Sequence, residues 1–260
     1  TSTTSVRNRK GIFISLAVCA VWLSVWQAAH MLVYAGMGTS LLLPSPAETF
    51  LRLRQLLGDP SFYSIIGHTF LRIFSGFLLG TAAGCILGGL TAFSPLLYRF
   101  FALPMNAIKS TPVASFVILA LVWIKGENLS TFIAFLMVLP VIWQSVHTGL
   151  GSADPELLEM ARVYRFSRGK KLRYLYLPAA LPYLISAMRV GLGFSWKSGI
   201  AGEVIAIPSQ AIGTQLYNAK IYLDMPGLFA WTIVIILLSA AIERVVLFLL
   251  PDPKGGDLDA

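Results

Sequence analysis

Long uncharged stretches divide this chain into apolar segments separated by shorter polar ones. Asp, Glu, Lys and Arg are absent from four runs of 37, 26, 26 and 18 residues, which cover 11–47, 73–98, 128–153 and 225–242. A helix needs about 20 apolar residues to cross a bilayer. Two weaker apolar stretches lie near 110–124 and 178–207. The pattern therefore predicts five or six membrane-spanning helices with short connections.

The predicted spans are 11–34, 69–93, 111–124, 129–147, 178–205 and 227–250. Pro46 fits the first turn of a short helix, Pro46–Leu57, which Gly58 and Pro60 would end. An irregular piece is expected before the third span, because it carries Pro95, Pro104 and Pro112. The basic start resembles a signal peptide, but the apolar run after it is too long for one. We therefore expect a retained first helix, a membrane domain over 11–250, and short tails at 1–10 and 251–260.

Composition supports a membrane protein and excludes soluble classes. The chain is 56% hydrophobic and 12% charged, whereas soluble domains carry about 25% charged residues. Its mean hydropathy is +0.73. A secreted enzyme or a cytosolic nucleic-acid binder could not keep so much apolar surface out of water. Cys19 and Cys85 both lie in apolar spans and provide neither a disulfide framework nor a metal set.

The positive charge predicts an orientation rather than a nucleic-acid partner. With the N-terminus in the cytoplasm, the cytoplasmic segments hold thirteen Lys and Arg residues and the opposite segments hold four. Cytoplasmic loops of membrane proteins are enriched in these residues. The bias therefore places both termini in the cytoplasm, which requires six spans.

The second span carries a glycine at every fourth position. A helix places such residues on one smooth ridge, where a neighbouring helix can approach closely. The ridge could serve a moving or dimer-forming contact, or ordinary tight packing within one chain. Its members are Gly76, Gly80, Gly84 and Gly88.

The segment between the fourth and fifth spans has the strongest local signals. Asp154, Pro155 and Glu156 are typical of a helix start, since they supply an acceptor cap, a residue without an N–H, and an acid near the dipole. Ser167 can cap a second, basic helix that runs to Pro178. Two short helices joined by a turn could fit a partner's groove, or could lie on anionic lipid headgroups.

These residues resemble the EAA loop of binding-protein-dependent ABC importer permeases. The family pattern is E-A-A, then Gly after three residues, then nine residues before I-x-L-P. Matching positions are held by Glu159, Ala161, Leu175, Leu177 and Pro178. Met160 replaces the middle Ala, and Arg165 stands where the family has Gly. If the turn needs a positive φ, Arg165 costs of order 1 kcal/mol there.

The resemblance covers about residues 40–250 and is closest to the nitrate, taurine and alkanesulfonate branch. It rests also on the ordered motifs Leu43-Pro44-Ser45-Pro46, Asp154-Pro155, Leu177-Pro178-Ala179-Ala180-Leu181-Pro182 and Ala201-Gly202-Glu203. It implies an all-α, six-span integral membrane protein with the type I ABC importer permease fold. That protein would be a homodimeric transport subunit of the bacterial inner membrane, without enzymatic activity or cofactors of its own.

The resemblance also implies the partners. A separate pair of ATPase subunits would bind ATP and Mg, and a periplasmic or lipid-anchored binding protein would deliver substrate. The sequence lacks G-x-x-x-x-G-K-[ST], a phosphate-binding loop. The ATPase-coupling residues implied here are Asp154, Leu157, Leu158, Glu159, Met160, Ala161, Tyr164 and Arg165.

Charged residues interrupt the fifth span. At 100° per residue, Arg189, Lys197 and Glu203 share an arc of ~120°, and Trp196 falls between them. Charges at membrane depth usually face a bundle interior or a wet cavity. The stripe could form part of a translocation path or gate for an anion, or an internal ion pair that fixes the rotation of the helix.

Two other classes of membrane protein fit the sequence less well than an importer permease. The histidines of an intramembrane enzyme would be His30, His68 and His147, but they are scattered and no H-E-x-x-H pattern is present. A vitamin-binding subunit of an energy-coupling-factor transporter, or a small channel, would not be expected to carry the EAA-like loop. The substrate stays open between a small anion, such as nitrate, taurine or another sulfonate, and a vitamin precursor or other organic solute.

Overall fold

The computed structural model describes residues 3–37 and 42–249, with side chains over 17–36, 42–246 and at Phe248. Within these ranges all regular structure is helical. The α-helices are α1 (Thr3–Met37), α2 (Pro46–Leu57), α3 (Pro60–Ala92), α4 (Pro95–Ser110), α5 (Val113–Ala120), α6 (Gly126–Gly151), α7 (Pro155–Val163), α8 (Arg168–Lys171), α9 (Leu177–Ala206), α10 (Ile212–Ile221) and α11 (Met225–Leu249). The predicted C-terminal tail, 251–260, lies outside the described residues.

Five helical segments in the described ranges are long and apolar enough to cross a membrane. They are Ala17–Gly36, Pro60–Ala92, Gly126–Gly151, Arg168–Ala206 and Met225–Val246. A sixth span is present if α4 and α5 are counted as one broken span, since they pass the same test together but bend by 104°. These segments match the predicted five or six spans in number and order.

The region around the third span differs from the prediction. We expected irregular structure from Pro95 and a helix from Thr111, but Pro95 starts α4 and Pro104 lies inside it. Ser94 caps this helix, and its side chain accepts a hydrogen bond from the amide of Leu97 at 3.4 Å. The first turn of a helix tolerates proline because its N–H groups have no intrahelical partner.

The chain divides into two compact units, each described here by itself. The first contains the described residues of 1–63 together with 215–234. In it the indole N–H of Trp26 donates to the carbonyl of Pro44 at 3.0 Å, and Trp26 stacks on Phe229 at 5.6 Å. The α2 helix has the predicted bounds, and Ser45 forms a capping box with Glu48. This box satisfies amides that a helix start leaves without partners.

The second unit, 64–214 with the described residues of 235–260, contains the glycine ridge. All four glycines face α6. A Cβ atom added at Gly76 would lie 2.8 Å from Ala134 Cβ, and one added at Gly84 would lie 2.7 Å from Ile142 Cβ. Cβ atoms added at Gly80 and Gly88 would come equally close to α6. The ridge is therefore covered by close helix packing within one chain.

The basic helix after Ser167 does not end at Pro178, as we expected. Instead α8 passes through a π-helical turn, Leu172–Tyr176, into α9. Pro178 falls in the first turn of α9, and the chain stays helical from Arg168 to Ala206. A π turn accommodates the proline by shifting the register of the backbone hydrogen bonds. The helix therefore continues, with a local change of pitch, where we expected it to end.

Candidate functional site

The loop between α6 and α9 projects a short capped helix. Asp154 precedes α7, and its side chain accepts a hydrogen bond from the amide of Glu156 at 2.9 Å. Pro155 occupies the first helical position. Ser167 likewise caps α8, accepting from the amide of Lys170 at 3.4 Å. Both caps are the ones predicted from the sequence, and they fix where the two helices begin.

Most of α7 is exposed apart from one buried position. Ala161 is completely buried and Leu158 is half-buried, so these two side chains anchor the helix to its own chain. Leu157, Met160 and Tyr164 are 45, 41 and 72% exposed. Glu159 is exposed and, at 100° per residue, points away from the anchoring side. The helix therefore presents both apolar and acidic groups outward.

The turn after α7 has the positive φ that the glycine in the family pattern suggested. Arg165 has φ of 50°. Its amide donates to the carbonyl of Arg162 at 3.1 Å, and the amide of Phe166 donates to the carbonyl of Ala161 at 2.9 Å. This pair of bonds is a Schellman motif, in which glycine is the usual left-handed residue. Arg165 therefore adopts the left-handed conformation that glycine usually adopts at this position.

Replacing Arg165 by Gly should therefore stabilise the protein. Relief of the left-handed strain at a residue with a Cβ is worth about 1 kcal/mol. We expect a small rise in the thermal unfolding midpoint of the purified protein, measured by differential scanning fluorimetry in detergent. Replacement by Ala, which keeps the Cβ, is the matched control and should not raise the midpoint. An Arg165→Ala variant as stable as Arg165→Gly would contradict this account.

A cavity of about 340 Å³ brings together three of the four predicted path residues. Arg189, Trp196 and Lys197 line it from α9, and Ser239 and Glu243 line it from α11. Trp196 is buried, whereas Lys197 and Glu243 are exposed. The volume is at the lower end of the range for small-molecule sites. The cavity can therefore offer positive charge to a small solute.

Glu203, the fourth predicted path residue, is not among the residues lining this cavity. Its side chain is fully buried, and one carboxylate oxygen accepts from Thr69 Oγ1 at 3.0 Å and from the amide of Gly213 at 3.2 Å. The other oxygen lies 3.7 Å from Nη1 of Arg72. The α9 helix therefore places Glu203 in a separate polar cluster.

Arg72 is the centre of that cluster and was not among the predicted site residues. Besides approaching Glu203, its guanidinium pairs with Glu127 at the start of α6. It donates to the carbonyls of Ser209 and Gln210 at 3.0 and 3.3 Å. Glu127 in turn accepts from the amide and hydroxyl of Ser209 at 2.8 and 2.7 Å. One arginine thus ties three elements, α3, α6 and α9, to the loop after α9.

The sequence contained signals for both Arg72 and Glu243, although neither was selected. Arg72 lies in an apolar span, and an ionisable group there is a functional candidate. Glu243 marked the end of an uncharged run, but α11 continues past it to Leu249. It therefore lies within the last candidate span. The predicted span, 227–250, also contains Glu243, but only the charges of the fifth span were selected as candidate path residues.

The histidines considered for an intramembrane enzyme have separate neighbours. His30 lies against the carbonyl of Leu43, His68 against that of Ser64, and His147 stacks on Tyr98. Among the residues that the structure describes, no group of three or more His, Cys, Asp or Glu side chains could hold a metal ion.

Comparison with known proteins gives a consistent result. Residues 76–254 match the family model described as binding-protein-dependent transport system inner membrane component. The Bacillus subtilis protein SsuC, named for aliphatic sulfonate transport, is 26% identical over 232 residues, covering 88% of this chain and 82% of its own. TauC of Escherichia coli, a taurine transport system permease, is 23% identical over 242 residues, covering 89% and 85%. Further relatives are named for bicarbonate and nitrate transport.

A solved structure supports the fold. The amino acid ABC transporter crystallised with histidines aligns with a TM-score of 0.61 at 17% sequence identity. The alignment covers 76% of this chain and 94% of that one. This chain therefore shares the fold of the matched chain of that transporter.

Proposed function

This chain belongs to the binding-protein-dependent transport system inner membrane components, and from that membership we propose how it works. It is an all-α membrane protein, the permease subunit of an ABC importer, and it partners an ATPase and a substrate-binding protein. Two copies of the chain would form the path, and two ATPase subunits would bind the ATP and Mg. The permease would need no cofactor of its own, and the binding protein would deliver solute from the periplasm or from a lipid anchor.

The proposed orientation puts both termini in the cytoplasm. The charge bias of thirteen against four supports it. With α4 and α5 counted as one broken crossing, α7 then lies on the cytoplasmic side. This is the side on which an ATPase would meet the membrane subunit.

The observation that carries the proposal is the exposed α7 helix. It is short, capped at its start, closed by a Schellman motif and anchored through Ala161. Such a helix can move as a rigid unit when a partner's groove closes on it. We propose that Glu159 and the apolar groups beside it bind the ATPase, so that closure of the two ATPases shifts α7 and, through α8, the long α9.

The proposed solute is a small anion, with sulfonates favoured. The support is the pair of cations, Arg189 and Lys197, in one cavity of about 340 Å³. The names of the similar proteins, which include sulfonate and taurine transport, point the same way. A cationic wall inside the membrane lowers the energy of an anion that has lost its water.

Lys197→Met tests the proposed path. We expect loss of about tenfold in the uptake of a sulfonate by proteoliposomes, since a hydrogen bond to a charged group contributes about 1.5 kcal/mol or more. Assembly with the ATPase should survive, because Lys197 lies well along α9 and not on α7, the proposed contact. Lys125→Met, which removes an exposed lysine at the start of α6, is the control. Unchanged uptake by Lys197→Met would count against a role in the path.

The importer function itself can be tested by reconstitution. The permease purified with its ATPase and binding protein should accumulate solute in proteoliposomes only when ATP is supplied to the ATPase side. Candidate solutes are sulfonates, nitrate, bicarbonate and a vitamin precursor. ATP-independent uptake, or a permease that purifies without any ATPase, would contradict the proposal.

A further inference from the structure

A second cavity, of about 720 Å³, lies between α3, α6 and the start of α9. Its lining is almost entirely apolar and includes Ile86 and Leu90 from α3, Leu150 from α6 and Leu181 from α9. Ile86, Leu90 and Leu181 are 64, 52 and 52% exposed, so the cavity is open along one side. Its volume is in the range of small-molecule sites, and its lining suits a hydrocarbon chain.

One cation lines this apolar cavity. Arg173 belongs to the π-helical turn, Leu172–Tyr176, and its side chain is exposed. The guanidinium lies 5.9 Å from the ring centroid of Tyr174. The π turn packs against the end of α3, because Tyr176 meets Phe93 edge-on with ring centroids 5.2 Å apart. A positive charge therefore stands beside the apolar lining.

Further cations precede Arg173 on α8. They are Arg168, Lys170 and Lys171, of which the first two are exposed. Among the residues that the structure describes, the ion pairs within 4.0 Å are Arg52–Asp224, Arg72–Glu127 and Arg72–Glu203. None of the four cations near the cavity takes part in these pairs. The positive charge beside the cavity is therefore not neutralised by a carboxylate from this part of the chain.

The proposed orientation puts this cavity at the cytoplasmic ends of the spans. Phe93 follows the end of α3, Leu150 lies in the last turn of α6, and Leu177 starts α9. The cytoplasmic leaflet carries anionic lipids, and basic pockets between spans on this side bind their headgroups. The apolar lining by itself would select no lipid, because the surrounding acyl chains are equally apolar. Selectivity must therefore come from the cations.

We infer that this cavity binds an anionic phospholipid of the cytoplasmic leaflet. One acyl chain lies along the apolar lining, and the phosphate headgroup contacts Arg173 and the cations of α8. The occupant is a lipid rather than the ATPase because the cavity is formed by segments that are candidate membrane spans. The bound lipid joins α3 to the π turn, through which a movement of α7 would reach α9. This inference rests on the proposed orientation.

Lipid binding to the purified permease–ATPase complex tests the charged part of the site. Native mass spectrometry would compare phosphatidylglycerol with phosphatidylcholine, which is neutral overall, using the same acyl chains in both. The wild type should prefer phosphatidylglycerol by at least about fivefold, the contribution of one basic residue near an anionic headgroup. Arg173→Gln should reduce this preference by about fivefold. Arg99→Gln, which removes an exposed cation outside the cavity, is the control and should keep the preference.

A substitution at Gly89 tests the apolar part of the site. Gly89 lines the cavity, and a Cβ atom added there has no other atom within 4 Å, so Gly89→Phe can fill the cavity. This variant should lose most of its phosphatidylglycerol binding. Gly67→Phe, also on α3 with open space at the Cβ but outside the cavity, should keep it. Glycerophosphoglycerol, the headgroup without acyl chains, should not compete at the lipid's own concentration.

The inference is overturned by equal binding of the two lipids, by an Arg173→Gln variant with the full preference, or by equal binding to the two phenylalanine variants. Strong competition by glycerophosphoglycerol would show that no acyl chain is held. A folded Gly89→Phe permease that no longer assembles, as seen by size-exclusion chromatography, would show that a protein covers the cavity instead. If Gly89→Phe does not fold, the two lipids and Arg173→Gln decide. The importer function fails separately, through loss of ATP-dependent uptake for every solute.

Discussion

Glu159→Lys should release the ATPase from the permease and reduce ATP-dependent uptake by at least a hundredfold. The side chain is exposed on the outward side of α7, opposite the anchoring Ala161. Central charged residues at protein interfaces often contribute 2 kcal/mol or more, and a reversed charge adds repulsion to the lost contact. Pull-down of the tagged permease from membranes measures the retained ATPase, and proteoliposomes measure the uptake.

A matched charge reversal on the other side of the membrane controls for general damage. Lys125 is exposed at the start of α6 and, in the proposed orientation, faces away from the cytoplasm. Lys125→Glu should keep the ATPase bound. Retention of ATPase and normal uptake by Glu159→Lys would show that α7 does not couple the two proteins. The family membership would be unaffected, because it does not depend on this residue.

Local signals in the sequence predicted local structure well. The bounds of α2 follow from a proline at its first position and from Gly58 at its end, and the structure reproduces them. The caps at Asp154 and Ser167 are also confirmed. Each depends on a few neighbouring residues, so no knowledge of the rest of the fold is needed. The positive φ of Arg165 came from the family pattern, because an arginine by itself gives no such signal.

Predictions that depended on distant residues were less complete. The spacing of Arg189, Lys197 and Glu203 shows that they share one side of α9. Which of them lines a cavity depends on the helices that pack against α9. The structure buries Glu203 against Thr69 and Arg72 from α3, while Lys197 lines the cavity. Sequence spacing on α9 could not identify these partners.

Prolines were the other source of error, because their effect depends on position within the helix. Pro95 was interpreted as a breaker but starts α4, and Pro178 was expected to end a helix but lies in the first turn of the next. Pro95 occupies a helix start, where the missing N–H costs little, whereas Pro178 follows a π turn in a continuous helix. Pro104, inside α4, shows that a membrane helix can continue through a proline.

Arg72→Met should strongly destabilise the second unit. It would leave Glu203 fully buried without its cation and would remove the donors to the carbonyls of Ser209 and Gln210. Loss of one partner of a buried ion pair typically costs about 3–5 kcal/mol. For a protein of this size, that corresponds to a fall of about 10 °C in the unfolding midpoint. Scanning fluorimetry of the purified protein measures it.

The loop held by Arg72 makes this cost larger than that of an ordinary ion pair. Ile207 and Gln210 have φ of 49° and 48°, although neither is glycine. Each such residue costs about 1–2 kcal/mol, so the loop keeps this shape only while its contacts with Arg72 and Glu127 hold it. Without Arg72, the loop should relax and become susceptible to proteolysis, which limited digestion of the variant would detect.

A second substitution separates the charge from the geometry. Glu203→Gln removes the buried charge but can keep the hydrogen bonds from Thr69 and the amide of Gly213. Added to Arg72→Met, it should recover part of the lost stability, because the uncompensated charge is gone while the loop contacts stay broken. A double variant no more stable than Arg72→Met would show that Glu203 is not the charge that Arg72 compensates. An Arg72→Met variant as stable as the wild type would show that Arg72 does not stabilise this region.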